Sequence, residues 1–148
     1  MLGITSIVIA SDLTRQSTLA LQRAVKLKRQ LAANLTLLHV VDGAAKPAQM
    51  KRRQSARELL QAQVRSACED ESRRLWLKVL DGERDSTIIA EADRAGADLI
   101  ILGDGRTQGW QQRLLGTTTE RIVRLSECPV LMVRQPADGP YRRLFLRI

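Results

Sequence analysis

Short apolar runs alternate with longer amphipathic stretches along this chain. Ser6-Ile7-Val8-Ile9-Ala10 is continuous and partly β-branched, the pattern of a strand buried on both faces. The period then changes. Between Thr14 and Leu31, Ala20, Ala24, Leu27 and Leu31 recur at spacings of 4, 3 and 4, which predicts a helix with one apolar face and Thr14 as its N-cap. Asn34 stands where that helix would stop, and Leu35 to Val41 reads as a second buried strand. Residues 43–55 carry no apolar period and read as a loop or the mobile start of a helix. Ala56, Leu60, Val64 and Ala67 then share a helical face. In a third strand, Leu75 to Leu80, Leu75, Leu77 and Val79 alternate with Trp76, Lys78 and Leu80, as at a sheet edge, and Asp81-Gly82 closes it. Asp85 or Ser86 is expected to cap a third helix that turns Ile88, Ile89 and Ala92 inward and stops at Gly96. Asp98 to Leu102 gives a fourth strand, Thr118 to Leu125 a short helix with Ile122 and Leu125 inward, and Val130 to Val133 a fifth strand after Cys128-Pro129.

Strands alternating with helices of this length imply βαβ units, a parallel sheet and right-handed crossovers. Ligands in such sheets bind beyond the carboxyl ends of the strands. Asp12, Val41 and Gly103 all lie at such ends. Residues 1–134 form one domain on this reading. The remainder, 135–148, divides into a linker (Gln135 to Pro140) and a strand-like tail, Tyr141 to Ile148, expected as an extra edge strand or the start of a second repeat.

Composition narrows the class. A chain of 148 residues with 44% hydrophobic and 27% charged residues suits one soluble domain with a real core, and 3% aromatics makes that core aliphatic. No apolar run reaches the ~20 residues of a membrane span, and the opening has no signal-peptide pattern, so a cytoplasmic location is expected. Cys68 and Cys128 form no CxxC and are expected as two buried thiols rather than a disulfide. With His39 as the one histidine, no two-histidine metal site exists, and His39 itself is expected to be a satisfied structural residue. The net charge of +8 favours anionic partners. The arginines are spread along the chain, however, and Glu58, Glu69, Asp70 and Glu71 interrupt the basic segment 51–74. Stacking aromatics are scarce as well, which argues against nucleic acid.

The stretch with the most chemistry runs from Gly103 to Thr117. The apolar run Leu99 to Leu102 delivers a loop rich in glycine and side-chain donors, which ends in Gly-Thr-Thr-Thr ahead of a helix. Glycines allow backbone N–H groups to approach an anion, and a helix start adds positive potential. The same glycines would also serve simply to turn the chain between strand and helix. There is no Ser–His–Asp or Cys–His spacing and no Gly-Lys-[Ser/Thr], so no catalytic residue is assigned.

Several segments resemble the universal stress protein family. SIVIASDLTRQSTLALQRAVKL is similar to that family's first strand, acidic turn and first helix. LTLLHVVD resembles its second strand, AGADLIILG its fourth, and LLGTTTERIVRLSECPVLMVR its closing helix and strand. The resemblance implies a doubly wound α/β fold: a five-stranded parallel sheet in the order 3-2-1-4-5 with helices on both faces. It also implies a single domain, related to tandem-repeat members, and a homodimer joined through the last strand. Some members bind ATP through G-x2-G-x9-G-[ST]. Gly103 and Gly116-Thr117 match this spacing, but Arg106 stands at the middle glycine, with Gly105 beside it and Gly109 following. Arg106 would either contact a phosphate or fill the site. By the same resemblance, Asp12 and Leu13 lie near the adenine and ribose, the backbone of Val41 reads the adenine edge, and Thr117 and Thr118 donate to phosphates. Asp12 and the threonines would equally act as helix caps. Glu83-Arg84-Asp85 stands where the family often has a proline after Gly82, read as a change of turn only.

The resulting expectation is a regulatory protein that binds ATP with Mg²⁺, or another adenine nucleotide, as a switch, with slow ATP hydrolysis at most. The alternative is a nucleotide-independent dimeric adaptor whose pocket Arg106 blocks.

Overall fold

The fold was analysed in a computed structural model, which describes residues 3–42, 46–68, 75–103 and 117–134. The elements follow in the order β1 (Ser6–Ala10), α1 (Arg15–Leu31), β2 (Asn34–Val41), α2 (Lys46–Ala67), β3 (Leu75–Asp81), α3 (Arg84–Arg94), β4 (Leu99–Gly103), α4 (Thr117–Leu125) and β5 (Val130–Val133). All strand pairs are parallel, in the order β3-β2-β1-β4-β5. This is the parallel sheet that the alternating pattern predicts, in the doubly wound 3-2-1-4-5 order that the family resemblance implies.

Period-2 alternation sends successive residues to opposite layers. Ile7, Ile9, Leu35, Leu37, Leu99 and Ile101 pack with Ala20, Leu21, Ala24 and Leu27 of α1 and Leu60 of α2. Val8, Leu38, Val40, Ile100 and Leu102 pack on the other face with Ile88 and Ala92 of α3 and Ile122 of α4. The central strands read as continuous apolar runs because both faces are covered. At the β3 edge, Trp76 is exposed, while Lys78 reaches the buried Glu91 of α3 (2.5 Å), which Arg94 also holds. Burial raises the Glu91 carboxyl above its ordinary value.

Four expectations need correction. Helix α2 begins at Lys46, not near Ala56. Its opening sequence carries no apolar stripe to announce it, and the buried Gln49 anchors it, with Nε2 donating to Asp81 Oδ1 (2.8 Å). The cap of α3 is Glu83, and its side chain makes no capping bond. Asp85 instead lies within α3 and pairs with Arg121 of α4 (3.3 Å). Burial raises the Asp85 carboxyl, but bonds from the Ser86 N–H and Arg121 outweigh that and leave it lowered. Leu125 is exposed, because α4 ends there and its inward face is carried by Ile122. Of the two thiols, Cys68 is buried but Cys128 is only partly so. Burial, with Asp98 and Asp93 nearby, pushes the Cys128 thiol up to about 11, which disfavours its thiolate form.

Helix ends explain the tight connections. Gly96 (φ +60°) follows the Ala95 cap, and the bonds Gly96 N–H to Asp93 O and Ala97 N–H to Ala92 O close a Schellman turn. The end of α1 has the same pattern, with Ala32 at φ +53° in the position that favours glycine. Ala32→Gly is therefore expected to stabilise the fold by about 0.5–1 kcal/mol, read as a higher urea midpoint with an unchanged m-value.

At the opposite sheet end from the site, Asp98 Oδ2 accepts from the N–H groups of Thr5 (2.9 Å) and Ser6 (3.1 Å) and from Thr5 Oγ1 (3.1 Å). The Thr5 N–H, foremost, holds its carboxyl below the ordinary value against the effect of burial. A lowered folded-state carboxyl contributes stability above the unfolded value of about 3.9 and loses it as pH falls through the folded value. Asp98→Asn should therefore cost about 1–2 kcal/mol at pH 7 and flatten the stability loss below pH 4 in urea titrations.

Candidate functional site

The chain leaves β1 for α1 on one face and β4 for α4 on the other, so the carboxyl ends of β1 and β4 diverge. That divergence opens a cleft of about 260 Å³. Asp12, His39, Val40, Arg84, Gly103 and Thr118 are among its walls.

The β1–α1 turn is fixed by side chains. Ser11 is buried, and its Oγ accepts from the Leu13 N–H (3.0 Å) and donates to Gln63 Oε1 (2.7 Å). Gln63 Nε2 in turn donates to Ser17 Oγ (3.1 Å) and Thr18 Oγ1 (3.0 Å), which ties α2 to this turn. Asp12 Oδ1 accepts from the Thr14 N–H (3.0 Å) and from Thr14 Oγ1. Thr14 Oγ1 caps α1 by accepting from the Ser17 N–H (3.4 Å). One Asp12 oxygen is thus committed to the turn; Oδ2 has no partner among the described residues. Leu13 sits between them at φ +67°, a strained conformation for a side-chain-bearing residue that these bonds impose.

Gly103 has a packing reason to be glycine. A Cβ there would lie 2.8 Å from Gln16 O and 3.1 Å from Ser17 N, both backbone atoms of α1. The absent side chain lets the start of α1 close over the end of β4. From α4, Thr118, buried Thr119 and Ile122 complete that wall. Thr117 opens the helix. Gly105, Arg106 and Gly116 lie outside the described residues.

Strand geometry separates Val40 from Val41. Leu38 O accepts from the Ser11 N–H (2.8 Å), so the Leu38 peptide faces β1. Two residues on, Val40 faces the same way, but β1 has ended and its N–H and C=O look into the cleft. Val41 faces β3, where its carbonyl accepts from the Gly82 N–H (3.2 Å), and it lines a neighbouring cleft together with Leu13. The sequence reading named Val41; the signal for Val40 is its even spacing from Leu38, the last β2 residue paired with β1.

His39 Nδ1 lies 2.7 Å from Ser11 O, a carbonyl, so Nδ1 donates there, and in the neutral tautomer this fixes, Nε2 is an acceptor. Its ring lines both clefts. Arg84 also borders both, and sequence reasoning took it as a turn residue. Its position at the start of α3, directly after the Asp81-Gly82 turn, was the available signal.

A sequence model of the universal stress protein family matches residues 3–134. The chain belongs to the universal stress protein family. Among curated relatives of this universal stress protein is MJ0531 of Methanocaldococcus jannaschii, 26% identical over 140 residues, which span 88% of this chain and 82% of the relative. Among solved structures, a universal stress protein in complex with cAMP superposes with a TM-score of 0.73 at 20% identity, covering 88% of this chain and 97% of that one. The Archaeoglobus fulgidus universal stress protein in complex with dAMP gives 0.67 at 20% identity, covering 89% and 98%. These likenesses confirm the fold that the topology gave. No helix among the described residues is long and apolar enough to cross a membrane.

Proposed function

We propose that this universal stress protein binds an adenine nucleotide in the cleft at the ends of β1, β2 and β4, and that the ligand acts as a switch. The observation that carries the reading is that Val40 lines the cleft two residues beyond Leu38, the last β2 residue paired with β1, so that strand alternation turns its N–H and C=O toward the cleft. A donor beside an acceptor suits the N1 and N6 edge of adenine. Asp12 Oδ2 would accept from a ribose hydroxyl, and His39 Nε2 is a second acceptor on that side. The phosphates would lie toward Gly103, Thr117 and Thr118, where the start of α4 supplies positive potential, with Gly105, Gly116 and Arg106 of the intervening loop as further donors. Two universal stress proteins of this fold are known in complex with cAMP and dAMP, which supports an adenylate ligand.

When ATP is the ligand, Mg²⁺ would come with the phosphates, since Asp12 is the one acidic side chain among the described residues lining the cleft. Ligand binding would act as a switch by changing the surface a homodimer presents through β5, whose residues Val130 to Met132 stay partly exposed. Calorimetric titration with AMP and with ATP–Mg²⁺ tests the reading: saturable heat and a raised unfolding temperature are expected, and the absence of both with either ligand would refute it.

Arg106 at the middle-glycine position favours one second reading, a nucleotide-independent dimeric adaptor with a plugged site. Under that reading the parent chain binds no nucleotide and Arg106→Gly gains binding.

A further inference from the structure

A second cleft of about 330 Å³ adjoins the first on the α2 side and shares His39, Val40 and Arg84 with it. We propose that this second cleft is a phosphate-binding subsite formed by Lys51, Arg52 and Arg84, separate from the seat for the adenylate phosphates beside α4. The inference rests on the adenylate reading for the identity of the main ligand, but not for the anion site itself.

Three observations converge. Lys51 and Arg52 from α2 and Arg84 from α3 enter the same concavity from two different elements. None of the three has a carboxylate within ion-pair distance among the described residues, whereas nearby cations do. Arg53 pairs with Asp81 at 3.4 Å, Arg121 with Asp85 at 3.3 Å, and Lys78 and Arg94 both with Glu91 at 2.5 Å. Among the described residues only Asp42 opposes the three along the wall, so this lining carries an excess of positive charge. Leu13 and the exposed Leu59 line the same cleft beside these cations. Each cleft alone is at or below the small end of the roughly 300–1,000 Å³ typical of ligand pockets, so a ligand that spans both suits the volume better than one confined to either.

The phosphate could belong to the same nucleotide, as in adenosine 3′,5′-bisphosphate, or to a separate molecule. Two titrations distinguish these sources. In the first, adenosine 3′,5′-bisphosphate and ADP, which carry two phosphates in different places, are compared with AMP. In the second, inorganic pyrophosphate is titrated into protein saturated with AMP, followed by the backbone amides of residues 51 and 52. A second phosphate on the same ligand predicts roughly tenfold tighter binding of the bisphosphate than of ADP. A separate molecule predicts that pyrophosphate binds with AMP in place. In either case the Lys51→Gln/Arg52→Gln variant should lose the effect about tenfold while AMP affinity stays unchanged. If the bisphosphate shows no preference and pyrophosphate is excluded by AMP, the subsite is overturned and the adenylate reading stands. If an effect is present but indifferent to the variant, the subsite is also overturned. If AMP does not bind but pyrophosphate perturbs residues 51 and 52 and the variant abolishes this, the adenylate reading falls and the anion site stands.

Discussion

Gly103→Val should weaken AMP binding by roughly tenfold to a hundredfold and destabilise the fold together. A Cβ at this position would sit 2.8 Å from Gln16 O and 2.9 Å from Gln16 C, both backbone atoms that cannot rotate aside. The start of α1 must therefore move away from the end of β4. Overpacking of this kind costs about 1–3 kcal/mol. The displacement also carries Asp12, Thr14 and Ser17, which are linked by the capping bonds, out of register with Val40. Loss of one or two charge-assisted contacts to a nucleotide would weaken binding by roughly tenfold to a hundredfold. Urea unfolding and calorimetric titration on the same variant separate the two effects. Gly103→Ala is the milder form and should show both in smaller measure.

The largest loss of stability is expected from Ile101→Ala. Ile101 is fully buried in β4, pairs with Ile9 of β1 and Leu131 of β5, and belongs to the layer beneath α1. Truncation of such a side chain costs about 2–5 kcal/mol, the spread reflecting how far the site can collapse. The neighbours are strands held by ladders on both sides, so collapse is limited and the upper half of that range is expected. For a chain of this size each kcal/mol lowers the melting temperature by roughly 2–4 °C. Thermal unfolding followed by circular dichroism reads this directly; a shift below about 3 °C would show that the layer repacks freely.

The sequence made the scaffold legible wherever burial imposes a period. Ile7 and Ile9 with Val8 between them, and Leu35 and Leu37 with Leu38 beside them, announce strands covered on both faces, and Ala20, Ala24 and Leu27 announce a helix with one buried stripe. Where an element is anchored by polar contacts the signal disappears. The first turns of α2 hold on through Gln49 and Asp81, and no apolar period marks them. The candidate site's place in the fold was legible at the level of strand ends. Asp12, Gly103 and Thr118 do meet at one cleft. The choice between Val40 and Val41 depends on which neighbour strand stops first, and residue types do not carry that information: both are buried valines in a run of apolar residues. Arg84 was hidden for a related reason. It looks like a solvated turn residue until the fold brings the end of β3 beside the ends of β2 and α2. Gly103 shows the converse. Its glycine character fits a phosphate loop, but the close approach of α1 already requires it.

The peptide of Val40 is where the nucleotide reading meets its most direct test. In an amide-resolved NMR titration with AMP, the Val40 resonance should shift strongly and saturably, along with Gly103 and Thr118, while Val41, bonded to Gly82, moves little. Saturable AMP binding that leaves Val40 and Gly103 unmoved would contradict the assignment of this cleft.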